Sequence, residues 1–246
     1  DDVDDLIQQF TGSNRHVLDY LLIEVLEGQP QEIQTFLLTT SILERLSAPL
    51  CEALMDGVDQ QVPAQQILEQ LDRSTLFVTP LDTERGWYRT HRLLSDLLRF
   101  TLRSTMPEKI PLLQRRASGW FEENGFVVEA IDHALAAGDF ERSARLLEAH
   151  AGGFLTRGEI ALLLRWLDAL PESIVRTRPW LCVAHAWALV YTGHLDAIGP
   201  RLRDAEELLG SVSDGAEQRR ISGQLAAIRA YQLALRGEPE AAITQA

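Results

Sequence analysis

The stretch Pro80 to Phe100, PLDTERGWYRTHRLLSDLLRF, limits what this chain can fold into more than any other, because its period changes midway. Around its start, two apolar runs, Leu76-Phe77-Val78 and Trp87-Tyr88, flank Asp82-Thr83-Glu84-Arg85-Gly86. That polar segment ends in glycine and has the length that closes a β-hairpin. Straight after it, Leu94, Leu97, Leu98 and Thr101 recur at helical spacing. The chain therefore passes from a hairpin directly into an amphipathic helix, and His91 stands at the joint.

Short helices lead up to this hairpin. Within residues 6–27, Phe10 with Gly12 ends one helix, and Ser13 or Asn14 caps another that runs to near Gly28. Pro30 opens a helix whose stripe is Ile33, Phe36, Leu37 and Thr40. Ser47 with Pro49 starts a short one carrying Leu50, Ala53 and Leu54, and Pro63 a third with Ile67, Leu68 and Leu71 facing inward. Three helices, a hairpin and a closing helix within 30–105 give the order of a winged-helix unit.

Met106-Pro107 and Ile110-Pro111 then break the pattern, since proline removes a helix donor and biases its predecessor toward extended geometry. Leu112 to Glu123 is helical again, with Trp120 and Phe121 as large anchors. From Val127 short helices alternate with a glycine and a polar residue, at Gly138-Asp139, Gly158-Glu159, Gly193-His194 and Gly237-Glu238. Gaps of 20, 35 and 44 residues fit antiparallel helix pairs of the tetratricopeptide kind, without the strict consensus. Alanines around Trp187 and Tyr231 support close helix packing. The expected fold class is mainly α: a winged-helix domain with a small β-hairpin, followed by a TPR-like α-solenoid that continues past Ala246. From the missing initiator Met and the helix opening at Pro239 we expect a piece of a longer protein.

Charge and motifs exclude several functions. The net charge is −13: residues 1–29 carry seven acids against one arginine, 30–105 ten against seven, and 106–246 nineteen against fifteen basic residues. No segment offers the basic face that neutralises phosphates, so direct nucleic-acid binding is not expected. No apolar run approaches the roughly 18 residues of a membrane span, and DDVDD is acidic where a secretory signal is basic. We expect a cytoplasmic protein. Cys51 and Cys182 read as buried, reduced thiols. The sole lysine, Lys109, sits in Pro-Glu-Lys-Ile, so a phosphate-binding Walker A loop is absent. Metal spacings and hydrolase motifs are absent too, and neighbouring acids such as Glu122-Glu123 diverge on a helix. No catalytic residue and no metal ligand is expected. His16, His133, His150, His185 and His194 stand without partners at ligand spacing and read as structural or surface residues.

His91 differs. It occupies the first turn after the wing, between Arg89 and Arg92, near a helix N-terminus whose amides and dipole favour an anion. By chemistry alone two readings stay open, a helix cap and a phosphate dock.

The blocks GSNRHVLDYLLIEVLEGQPQEIQTFLLTTSILERLSAPLCEAL, LFVTPLDTERGWYRTHRLLSDLLRF, AIDHALAAGDFERSARLLE and LLRWLDALP closely resemble the large MalT-like transcriptional activators of the LuxR type. These belong to the STAND class of signal-transduction ATPases. The resemblance implies that 1–29 ends a helical domain, 30–105 is the winged helix, 106–126 a connector and 127–246 the start of a helical-repeat sensor. It also implies an upstream nucleotide-binding domain holding ATP or ADP, a downstream DNA-binding domain, an unidentified inducer on the repeats, and self-association. In that class a Met-His-Asp motif of the winged helix touches the ADP β-phosphate. Thr90-His91-Arg92 looks like that motif: His91 matches its His, while Thr90 and Arg92 depart from its Met and Asp. The implied function is coupling of nucleotide state and inducer binding to transcription activation, with no catalysis or cofactor in this segment. The alternative is an autonomous TPR-like scaffold for protein partners.

Overall fold

Prolines set the helix starts of the first half. In the computed structural model Pro30 is the N-cap of α1 (Gln31–Thr40), Pro49 lies in the first turn of α2 (Ala48–Leu54), and the Pro63 carbonyl accepts the first amides of α3 (Ala64–Arg73). The structure describes residues 26, 28–57, 61–73, 78–210 and 212–238. The helices expected within 6–27, the Leu76-Phe77 start of the hairpin and the helix expected from Pro239 lie outside them. The chain divides into two units, split between Asn124 and Gly125.

In the first unit the apolar stripes meet as their periods require. Ile33, Phe36 and Leu37 of α1, Leu50 and Leu54 of α2, and Ile67, Leu68 and Leu71 of α3 are all buried. They share a core with Leu94, Leu97, Leu98 and Leu102 of α4 (Arg92–Thr105). Strands β1 (Val78–Pro80) and β2 (Tyr88–Thr90) form the antiparallel wing, in register Val78↔Thr90, Thr79↔Arg89 and Pro80↔Tyr88. One element was not anticipated. Leu46, between α1 and α2, bridges to Tyr88 by two reciprocal backbone hydrogen bonds of 2.8 Å, a minimal third strand for the sheet.

The wing tip is held by its own side chains. The Asp82 carboxylate accepts the amides of Gly86 at 2.8 Å and Trp87 at 2.9 Å. Arg85 adopts a left-handed φ of 56°, a conformation that costs a non-glycine residue about 1–2 kcal/mol. Its guanidinium reaches Asp72 on α3 at 3.3 Å. Arginines also close helix ends. Arg99 of α4 donates to the carbonyls of Ser41 (2.7 Å) and Leu43 (3.3 Å) just past α1. Arg116 of α5 (Ile110–Glu123) donates to Leu54 at the end of α2 at 2.9 Å. Helix α5 buries Leu113, Ala117 and Phe121, and its Trp120 meets Trp87 edge to face at 6.1 Å. It is therefore packed into the first unit.

The second unit is wholly helical among its described residues: α6 (Val127–Ala136), α7 (Phe140–Thr156), α8 (Ile160–Ala169), α9 (Glu172–Val175), α10 (Pro179–Tyr191), α11 (Ile198–Leu209) and α12 (Gly215–Leu235). The expected glycine punctuation is present as one repeated turn. Gly138, Gly158, Gly193 and Gly237 all have φ between 68° and 82°, and each time the next residue's amide returns to a carbonyl five residues back. These are Schellman stops, which need a left-handed residue. Trp166 anchors the first three helices. It is 1% exposed, stacks edgewise on Phe154 at 5.0 Å and donates its indole N–H to Asp132 at 2.7 Å.

The repeat itself emerges from contacts rather than from glycine spacing. Arg178 pairs with Glu141, Trp180 with Glu217, Trp187 with Gln224, and Gln232 with the Leu195 carbonyl, and in all four pairs the separation is 37 residues. Helices α10 and α12 thus run side by side in parallel, as successive members of a helical stack do.

Two glycine substitutions separate these roles. Gly193→Ala is expected to lower stability by about 1–2 kcal/mol through backbone strain. Gly152→Ala, inside α7 with open space around the new carbon, is expected to raise it by about 0.5–1 kcal/mol. Urea unfolding of the two variants beside the parent chain checks the opposite signs.

Candidate functional site

His91 is placed by strand alternation followed by a helix start. Tyr88 points into the core, Arg89 outward, and the chain turns at His91 with φ −57° and ψ 134° into α4. The His91 carbonyl accepts the Ser95 amide at 2.9 Å, which makes it the N-cap by backbone. Its imidazole forms no capping hydrogen bond. Of the two readings left open by sequence, side-chain capping is therefore not what the structure displays. His91, Arg89 and Arg92 are all exposed, and α4 has no acid in its first turn. The Arg92 side chain is 93% exposed and lies 3.9 Å from Asp96 one turn on. Two exposed arginines thus flank an exposed imidazole at a helix start, a donor set suited to phosphate oxygens.

The neighbouring α3 has a different character. Its outward residues Gln66, Glu69, Gln70 and Asp72 are neutral or acidic, Arg73 lies 3.8 Å from Glu69, and Asp72 holds the wing's Arg85. This is the helix and wing that a DNA-reading winged helix would present to a groove.

Both cysteines are buried and unpaired with each other. Burial pushes the Cys51 thiol far above its usual range, and Cys182 up to about 12, so both stay protonated. Among the described residues there is no cluster able to hold a metal ion and no helix long and apolar enough to cross a membrane.

Residues 22–110 match the family model of the MalT winged helix domain. The match covers the whole helix–helix–helix–wing–helix order and includes His91. Across 187 residues the chain is 33% identical to the serine/threonine-protein kinase PknK of Mycobacterium tuberculosis and to that of Mycobacterium bovis. Those alignments take in 76% of this chain but 16% of the relative, so the chain spans a small part of these longer proteins. The mainly α, MalT-like winged-helix reading stands on this match and on the observed order of elements.

Of the other histidines, His150 and His194 are exposed, His133 is half-buried, and His16 lies outside the described residues. His185 on α10 is the unusual one. It is 7% exposed, its Nε2 lies 3.6 Å from Asp168, and its buried Nδ1 has no hydrogen-bond partner among the described residues. Burial, aided by Arg201, holds its pKa below the ordinary value, against Asp168 and Glu172. Around it Arg201 pairs with Glu172 at 2.6 Å and Arg176 with Asp204 at 3.1 Å. Sequence alone had no signal for this cluster, whose members come from α8, α9, α10 and α11.

A sign follows for stability. An unfolded His185 takes up a proton as pH falls below about 6.5, whereas the folded one resists. Its contribution is thus complete above that value and is lost as pH drops toward the folded-state pKa. Urea midpoints are expected to be lower at pH 5.5 than at pH 7.5, and His185→Gln is expected to narrow that gap.

Proposed function

We propose that this chain is the regulatory core of a MalT-like bacterial transcriptional activator of the LuxR type. In this reading the winged helix responds to nucleotide held by an upstream STAND-type ATP-binding domain. The helical repeats carry an inducer surface, and a downstream domain binds DNA. The observation that carries it is the position of His91: it sits in a segment matching the MalT winged helix, exposed, between two arginines and at a helix start it does not cap with its ring.

The exposure of His91, Arg89 and Arg92 and the lack of an acid in the first turn of α4 support an ADP phosphate as the ligand. His91 and Arg89 would donate to the terminal oxygens, and Arg92, in the place of the motif's acid, would add charge rather than anchor the loop. ADP held this way favours the closed arrangement, and ATP with inducer favours the open, self-associating one. Each ligand acts only through its different affinity for the two arrangements. ATP hydrolysis belongs to the upstream domain, this segment catalyses nothing, and the whole acts in the cytoplasm. That a protein named as a kinase aligns with 76% of this chain at 33% identity supports a regulatory module joined to different outputs.

A second reading has its own support. Tyr191, Tyr231 and Leu235 are exposed, and Trp187 stacks on both tyrosines at 6.0 and 5.7 Å, which is the kind of surface a protein-binding scaffold presents.

The deciding experiment is His91→Ala in the longer protein, with bound nucleotide measured after gel filtration. Losing a charge-assisted hydrogen bond to phosphate is expected to weaken ADP retention about 10- to 100-fold. Unchanged retention and unchanged inducer dependence remove His91 from the mechanism. The 246-residue chain alone is expected to leave duplex DNA unshifted in a gel at moderate salt. A shift that disappears when Arg89 and Arg92 are replaced overturns the regulatory-only role of the wing.

A further inference from the structure

In the second unit, the start of α6 and the last turns of α7 enclose an open cavity of about 470 Å³. Its walls include Phe126, Val128 and Phe154, its floor Gly153, and its polar rim His150 and Arg157. That volume lies within the range of small-molecule sites, and so does the mixture of apolar walls with a few polar groups.

Arg157 is held ready there. Its Nε and Nη2 donate to the Glu159 carboxylate at 2.8 and 3.1 Å, and its guanidinium lies 4.9 Å over the Phe154 ring. Two of its edges are thereby fixed by the protein. The remaining Nη1 end hangs over Gly153, where a β-carbon would come within 3.1 Å of it. A pre-set donor loses little rotamer freedom when it binds.

The glycines add an independent observation. Gly152 and Gly153 adjoin inside α7, where glycine is unfavourable relative to alanine. Neither has a left-handed φ, and a β-carbon on Gly152 would meet nothing within 4 Å. Gly153 lines the cavity, and a side chain there would both crowd the Arg157 guanidinium and fill the floor.

Charge narrows the class. Glu159 occupies Nε and Nη2 of Arg157 and leaves Nη1 for one further acceptor, while Glu129 also lines the cavity, so a dianion such as phosphate is disfavoured. One acceptor group on an apolar body fits. We propose that this cavity binds a small monocarboxylate with an aromatic or branched aliphatic body, the carboxylate on Arg157 Nη1 and the body against Phe126 and Val128. The proposal locates an inducer for the sensor reading and rests on that reading only for the purpose of binding. Binding itself needs neither nucleotide nor the rest of the protein.

The test is isothermal titration of the 246-residue chain with phenylacetate and 4-methylpentanoate, with benzylamine as the cationic control. At least one carboxylate is expected to bind saturably and the amine not to bind. Arg157→Met is expected to weaken the carboxylate about tenfold or more, and Gly153→Leu to abolish it by filling the floor. If Gly153→Leu loses its helical circular dichroism, Arg157→Met decides alone. Saturable binding by neither carboxylate, equal binding of the amine, or an unaffected Arg157→Met overturns the site. ADP retention in the longer protein is read separately, so loss of this site leaves the nucleotide reading standing.

Discussion

Two backbone hydrogen bonds between Leu46 and Tyr88 tie the wing of this protein to its helices. Antiparallel pairing has a side-chain period of two, so the register at Tyr88 decides the facing of every neighbour. With Tyr88 turned into the core, Arg89 faces solvent and the chain arrives at His91 with the helix ahead of it. A slip of one residue would bury Arg89 and expose the phenol, and the exposed donor set at the helix start would no longer exist. The candidate nucleotide contact is in this sense a product of β-register rather than of the helix it precedes.

The legible and illegible parts of the fold divide along physical lines. Pro30, Pro49 and Pro63 announce helix starts through missing donors, and Ile33, Phe36 and Leu37 announce a buried face through their spacing, so both could be read directly. The wing could be read because Asp82 to Gly86 is a turn segment between apolar runs. Leu46 could not, because a single bridging residue has no period. The joint at His91 was visible, but whether its ring caps the helix is a rotamer question that no pattern encodes. His185, Arg157 and their neighbours were invisible as clusters because each gathers residues from separate turns or helices.

The second unit shows why its repeat was hard to read from glycines. The stops at Gly138, Gly158, Gly193 and Gly237 punctuate helices, not repeats, and the short α9 and the 3₁₀ turn Leu195–Ala197 add unequal lengths between them. Four hydrogen bonds between successive layers share a 37-residue offset, three of them made by Arg178, Trp180 and Trp187 at or on α10. Those pairs mix guanidinium with carboxylate, indole with carboxylate, indole with amide, and amide with a backbone carbonyl, so no single pairing recurs to mark the period. Helix α10 is central to the unit: Leu181, Cys182, Val183, Ala184, Ala186, Ala188 and Val190 are all buried.

The packing of α5 bears on how such a module can be moved between proteins. Arg116 closes α2 and Trp120 packs on Trp87 beside the wing turn, so the fifth helix completes the first unit instead of merely leaving it. A genetic junction placed after Thr105 would strip α2 of its terminal cap and leave Trp87 without Trp120. Recombination that keeps the wing intact therefore has to carry the chain through to Asn124, and a crossover landing earlier hands its new host an incomplete body.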